Sequence, residues 1–170
     1  MSQSEDPYSK SFPVGWEELH RTAKALAWRL NHLGPFEGII AVTRGGLVPA
    51  TIVARELDVR LIDTISVSSY SSTKGGLEAK KRGEVIVLKE CALTKDGENW
   101  LIVDDLVDTG ETARKVRALL PKAHFASIYA KPSGRPLVDT FVTEVSQDTW
   151  IYFPWDMEQR PVAPMVNGDD

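Results

Sequence analysis

The chain is poor in several features that would tie it to common protein classes. It has one cysteine, Cys91, so an intrachain disulfide is excluded and a reducing, cytoplasmic setting is expected. Set in a polar stretch, that thiol reads as structural. Its three histidines, His20, His32 and His124, are scattered and give no zinc-ligand spacing. No apolar run approaches the roughly 18 residues that a membrane span needs. The opening stretch MSQSEDPYSKS lacks the apolar core of a secretory signal and reads as a flexible tail, as does VNGDD at the other end. Charge of one sign is not in excess either. A net charge of −4 argues against nucleic acid as a partner and gives no electrostatic sign of membrane binding.

What remains is ordinary globular usage, 42% apolar and 26% charged over 170 residues, enough for one core. The expected organisation is a flexible segment over 1–13, a single domain over 14–158 and a tail over 159–170. Apolar residues at 16, 19, 23, 26, 30 and 33 have the three-four spacing of an amphipathic helix, stopped by Gly34-Pro35. GIIAVT (38–43) suits a strand buried on both faces, followed by a Gly45-Gly46 break and the helix LVPATIVAREL. RLIDTISVSSY (60–70), EVIVL (84–88), WLIVDD (100–105) and HFASIYA (124–130) read as further strands, and TARKVRALL (112–120) as a helix. This alternation predicts an α/β fold, a central, mostly parallel sheet flanked by helices. Between the second and third strands, SSTKGGLEAKKRGE (71–84) is polar, basic and glycine-bearing. A loop of that composition suits a mobile lid over a highly charged ligand.

The unusual residues gather where such a sheet binds ligands. Thr43-Arg44-Gly45-Gly46, the aspartate cluster of LIVDDLVDTGETA (101–113) and Lys131 all follow strands, and ligands bind outside the carboxyl ends of parallel strands. Asp104, Asp105 and Asp108 repel one another unless a cation or hydrogen-bond donors lie between them. Gly110 permits a tight turn, and the N–H groups of residues 109–112 with the hydroxyls of Thr109 and Thr112 suit a phosphate at a helix N-terminus. Asp104 and Asp105, acceptor-only when ionised, match a vicinal diol or a Mg²⁺ ion bridging one. A phosphate cradle one turn from a diol acceptor describes a ribose 5-phosphate site.

The string hydrophobic-Asp-Asp-x-x-Asp-Thr-Gly-x-Thr resembles the phosphoribosyl pyrophosphate (PRPP) signature of the type I phosphoribosyltransferases. The resemblance runs from Trp16 to Asp156, through VTRGGLVP, SVSSY, AKPSGRPLVD and QDTWIYFPWDM, and points to the bacterial purine branch of the family. It implies the family fold, with a small hood formed by the C-terminal segment. By this resemblance Arg44 and Gly45 match the turn that binds pyrophosphate through backbone amides. Asp104 and Asp105 match the ribose-diol and Mg²⁺ pair, and Asp108 with Thr109, Gly110, Glu111 and Thr112 matches the 5′-phosphate loop. Asp108 also matches the carboxylate beside purine N7, Lys131 the reader of the 6-oxo group, Trp150 the ring stacked on the base, and Ile151 the residue whose backbone meets the purine edge. Asp156 matches a second acidic position near metal and pyrophosphate. Arg82 or its neighbour Lys81 matches the cation that closes over pyrophosphate. Two departures stand out: the 71–99 segment is long, and Glu111 replaces a commoner small or neutral residue, so its side chain must face away from the phosphate.

The resemblance implies transfer of ribose 5-phosphate from PRPP to N9 of a 6-oxopurine, xanthine and guanine ahead of hypoxanthine, in purine salvage. Mg²⁺ is the implied cofactor, and a homo-oligomer, dimer or tetramer, the implied assembly. A cytoplasmic location with peripheral association at the inner membrane comes from the resemblance alone. The alternative is a non-catalytic PRPP sensor on the same fold, which needs no complete purine pocket. An acidic-cluster phosphatase or receiver-type domain leaves the Thr-Gly-Glu-Thr loop unexplained.

Overall fold

The structure, a computed structural model, describes residues 8–69 and 85–156. The 71–84 loop with Lys81 and Arg82, and the expected tail at 159–170, lie outside the described residues. The described residues form eight strands and three α-helices: β1 (Lys10–Pro13), α1 (Trp16–Leu30), β2 (Gly38–Thr43), α2 (Leu47–Glu56), β3 (Ile62–Ser69), β4 (Val85–Lys89), β5 (Trp100–Val107), α3 (Glu111–Leu119), β6 (His124–Ala130), β7 (Thr140–Glu144) and β8 (Thr149–Tyr152).

Six strands make the central sheet, in the order β4-β3-β2-β5-β6-β7. All neighbours are parallel except β3 and β4. The parallel strands are apolar on both sides because both faces are covered. Along β2, Ile39 and Ala41 enter one core with α1 and α2, whereas Ile40 and Val42 enter the opposite core with α3. Strand residues alternate in direction, so one short apolar run serves two cores. From β2 the chain winds outward to β3, and later strands wind the other way through β5, β6 and β7. The order therefore reverses between β2 and β5, which is where a crevice opens in such a sheet.

Two expectations are corrected. Helix α1 ends at Leu30, short of Leu33, and both ends of its apolar stripe are exposed. Trp16 instead meets Trp155 edge-on at 6.2 Å. The segment expected to be a tail through residue 13 contributes β1, which pairs in parallel with β8 from Lys10↔Thr149 to Pro13↔Tyr152. The small hood is thus built from both ends of the domain rather than from the C-terminal segment alone. Cys91 has a defined partner: its thiol donates to Asp63 Oδ2 at 2.9 Å, and the Ala92 and Leu93 N–H groups donate to the same oxygen.

Candidate active site

A cleft of roughly 1080 Å³ lies at the β2/β5 reversal. Its walls include Thr43, Arg44 and Gly45 after β2, Asp104 to Thr112 from the end of β5 into α3, and Trp155 with Asp156. Residues about sixty positions apart become neighbours because β2 and β5 pair directly, Ala41 opposite Val103. The contact is close: a β-carbon at position 45 would stand 2.1 Å from Asp105 Oδ2. Glycine is therefore required there so that the turn and the carboxylate can share the space. The Thr43-Arg44 peptide is cis.

Asp104 closes the continuous buried run of β5, and Asp105 beside it is half-buried. Asp104 Oδ1 accepts from the Asp105 N–H at 2.9 Å, and Asp105 Oδ1 accepts from the Leu106 N–H at 2.7 Å. Burial, and then the adjacent Asp105 charge, push the Asp104 carboxyl well above the usual carboxylate range. Burial also raises Asp105, with the Asp156 charge adding to it. Two neighbouring acids that resist losing both protons call for a cation. Among the described residues no three His, Cys, Asp or Glu side chains come together as a metal cage. A pair of carboxylates suits Mg²⁺, which takes one or two carboxylates and completes its shell with water and substrate phosphates. The donor set fits that ion.

The strand gives way to a turn over Asp108–Gly110 and then to α3. Gly110 has φ of 86°, a left-handed conformation that a side chain would strain. Thr109 and Glu111 are exposed, and Thr112 is half-buried at the first turn of the helix. The N–H groups of a helix's first turn lack intrahelical partners, and with residues 109–112 lining the cleft this helix start suits an anion.

At the inner end lies a polar knot. Lys131, only 1% exposed, donates to Asp108 Oδ2 at 2.7 Å and lies 3.5 Å from the Gln147 carbonyl oxygen. Gln147 Nε2 donates to Asp108 Oδ1 at 2.6 Å. The Ser133 N–H donates to Gln147 Oε1 at 3.0 Å, which fixes the amide so that its nitrogen faces Asp108. Asp108 is thereby held as an acceptor on both oxygens. Trp150 is partly exposed, its ring 6.3 Å from Tyr152. The side chain of Ile151 is buried in the α1/α2 core, leaving only its backbone for the base side.

Of the site residues read from the sequence, Arg44, Gly45, Asp104, Asp105, Asp108, Thr109, Gly110, Glu111, Thr112 and Asp156 line one cleft, and Lys131 joins it through Asp108. Trp150 and Ile151 stand on β8, which begins one residue beyond the Gln147-Asp148 pair. Glu111 lines the cleft as well, exposed at the start of α3. Sequence reasoning missed Gln147, which stands within the QDTW string but gave no chemical signal of its own. It also missed Trp16 and Trp155, whose positions in the cleft wall follow from packing.

This architecture, a parallel sheet with its reversal at the cleft and an Asp-Asp/Thr-Gly strand–turn–helix in it, is the type I phosphoribosyltransferase fold. The family model described as Phosphoribosyl transferase domain matches residues 15–160. The chain belongs to that family. It is 60% identical over 161 residues to the xanthine-guanine phosphoribosyltransferase of Desulfotalea psychrophila (strain LSv54 / DSM 12343), covering 95% of this chain and 96% of that protein. It is 61% identical over 162 residues to the enzyme of the same name from Nitratidesulfovibrio vulgaris (strain DP4), covering 95% and 94%. Among solved structures, the purine phosphoribosyltransferase from Pyrococcus horikoshii Ot3 superposes with a TM-score of 0.70 at 28% identity, covering 91% of this chain and 98% of that one.

Proposed function

We propose that this enzyme transfers the 5-phosphoribosyl group of PRPP to N9 of a 6-oxopurine, giving the nucleoside monophosphate and pyrophosphate in purine salvage. The observation that carries the reading is the position of Asp108. Its backbone opens the phosphate-type turn of the cleft, and its carboxylate is tied to a buried lysine suited to reading an oxo group. One residue therefore links the ribose end to the base end. The names of the relatives support xanthine and guanine as bases, and hypoxanthine is placed behind them by the family resemblance alone. The relatives lend nothing to the alternative of a non-catalytic sensor.

In the reaction the bond from the anomeric carbon to pyrophosphate breaks, its electron pair leaves with pyrophosphate, and a new bond forms from that carbon to N9. Residues 109–112 hold the 5′-phosphate, and Asp104 and Asp105 hold the ribose diol. Asp104 and Asp105 would hold Mg²⁺, which would supply positive charge against the negative charge that develops on the leaving pyrophosphate. The Arg44-Gly45 turn offers N–H groups to the same leaving group. Asp108 accepts a hydrogen bond at N7 and takes part in removing the purine proton as N9 becomes the nucleophile. A lysine ammonium has three donors; one serves Asp108 and another points toward the Gln147 carbonyl, leaving the third for the 6-oxo oxygen. Trp150 covers the base face, and the Ile151 backbone meets its edge. Asp156 stands near the metal side, and Arg82 is assigned to closure over pyrophosphate.

We place the enzyme in the cytoplasm as a homo-oligomer. No helix of the described residues is long and apolar enough to cross a membrane, and the peripheral membrane association is not carried forward. The deciding experiment incubates the protein with PRPP, Mg²⁺ and each purine separately and assays nucleotide and pyrophosphate. Equimolar formation of both from guanine and xanthine is expected. PRPP binding without product from any purine would leave a sensor as the better reading.

A further inference from the structure

Nothing in the transfer reaction calls for an aromatic residue ahead of β1, yet Tyr8 reaches the purine end of the site. Its ring centroid is 4.8 Å from that of Trp150, edge-on with 66° between the planes. The Lys131 ammonium stands 4.6 Å from the centre of the Tyr8 ring. The phenol hydroxyl donates to Asp108 Oδ2 at 3.4 Å. These three partners are the side chains assigned to the base face, the 6-oxo group and N7.

The placement is anchored. The Ser9 and Lys10 N–H groups both donate to the Asp148 carbonyl oxygen, at 3.0 and 3.1 Å. The Ser9 hydroxyl donates to the Asp148 carboxylate, and Lys10 pairs with the same carboxylate at 3.4 Å. In the β1/β8 register Ser11 lies opposite Trp150. The strand that carries the stacking ring therefore also holds the segment that delivers Tyr8.

Chemically, a phenol is a fair substitute for a base. It offers a flat π face to a cation and a donor at its edge to a carboxylate. Lys131 is almost wholly removed from water with this ring over it, so the ring covers a charge that would otherwise await the 6-oxo group. With its ring 4.8 Å from the indole centroid and 4.6 Å from the Lys131 ammonium, Tyr8 stands in the corner that a purine spanning Trp150 and Lys131 would have to enter.

We infer that Tyr8 sets the affinity for the base: its ring occupies the purine subsite of the ligand-free enzyme, and the incoming 6-oxopurine displaces it. The inference rests on the assignment of this corner to the purine in the proposed function. Apparent purine affinity is then reduced by the fraction of molecules in which the ring is out of the way. The effect falls on the base, because the side chains Tyr8 meets, Asp108, Lys131 and Trp150, are the ones assigned to the purine.

The test compares wild type, Tyr8→Phe and Tyr8→Ala in the full chain. The guanine KM, the PRPP KM and the calorimetric Kd for guanosine 5′-monophosphate are measured for each. Tyr8→Ala should lower the guanine KM and the nucleotide Kd by about 3- to 10-fold, and Tyr8→Phe by about 2-fold, since it keeps the ring and loses only the hydroxyl bond. The PRPP KM should stay the same in all three. An unchanged guanine KM in Tyr8→Ala would overturn the inference. A raised one would also overturn it, by showing the ring to be a wall that holds the base. Failure of the proposed function looks different: wild type then makes no nucleotide from any 6-oxopurine, while the nucleotide Kd still reads the Tyr8 series.

Discussion

At the β2/β5 end of the cleft, Asp104 and Asp105 crowd two carboxyls together with main-chain N–H groups and each other for partners, and burial drives their affinity for protons up. At the β6 end, Asp108 is closed in by Lys131, Gln147 and Tyr8. The first end holds acceptors whose charge must be met from outside. The second is already satisfied, so a ligand there must replace existing partners with equally good ones. A site of the first kind favours binding to anything that brings the missing charge. A site of the second kind discriminates, because a wrong base leaves donors or acceptors unpaired.

The largest effect should come from removing the outward-looking end. Asp104→Ala with Asp105→Ala should lower turnover by about 10³-fold or more, because stabilisation of the leaving group goes with the diol contacts. Any residual PRPP binding should lose its Mg²⁺ dependence, which titration calorimetry with and without the ion would read. Turnover within tenfold of wild type would remove the assignment of this pair.

At the discriminating end, wild type should prefer guanine to adenine by about 10⁴-fold in kcat/KM, since adenine sets an amino donor against the Lys131 donors. Lys131→Met should cost about 10²-fold with guanine and narrow the guanine-to-adenine ratio, with little change in the PRPP KM. A ratio that survives the substitution would mean that Lys131 does not read the base.

Gln147 should show a smaller and more particular effect. It touches Asp108 rather than substrate, so it is a positioning residue. Gln147→Ala should cost about tenfold in kcat/KM for the purine. The loss should fall on the purine, with the PRPP KM little changed, because Gln147 holds the carboxylate assigned to N7. A purely structural role would lower the melting temperature and weaken both substrates alike.

The smallest effects are on stability, and they have opposite signs in two places. Asp104 binds its proton more tightly folded than unfolded. It therefore favours the fold at low pH, and that contribution is lost as the pH rises through the folded value. Asp104→Asn should raise the melting temperature at pH 8 by about 2–4 °C, with the gain vanishing below about pH 4. Asp63, far from the cleft chemistry, behaves the other way. Burial works against its ionisation, but hydrogen bonds from Cys91, the Ala92 and Thr64 N–H groups and Lys89 hold it well below the usual carboxylate range. Its contribution is present at neutral pH and lost as the pH falls through the folded value. Asp63→Asn should lower the melting temperature at pH 7 and converge on wild type toward pH 2. Melting curves at three pH values would separate the two carboxylates.

Much of this was legible locally. HFASIYA forms β6 over the expected residues, and GIIAVT forms β2, because each is a short apolar run bounded by turn residues. The strand–turn–helix of LIVDDLVDTGETA was equally readable, since strand, glycine turn and helix start all follow from neighbours within a few positions. The third-strand region was harder: β4 returns antiparallel to β3, a choice that hydrophobic pattern does not encode. β1 escaped because a four-residue strand with a mostly exposed pattern, KSFP, looks like tail until its partner is known.

The sequence by itself determined the chemistry available: the adjacent aspartates, the Thr-Gly turn, the lysine after β6 and the tryptophan near the C-terminal end. It also set the faces of each strand and helix, because periodicity of 2 or 3.6 residues is written in nearest neighbours. Only the tertiary structure decided that Gly45 meets Asp105, that Gln147 holds Asp108, and that Tyr8 covers Lys131. Those pairs are separated by 39 to more than 100 positions or joined through sheet order. Their energies come from burial and pairing between distant segments, and such contacts leave no local period in the chain for a reader to find.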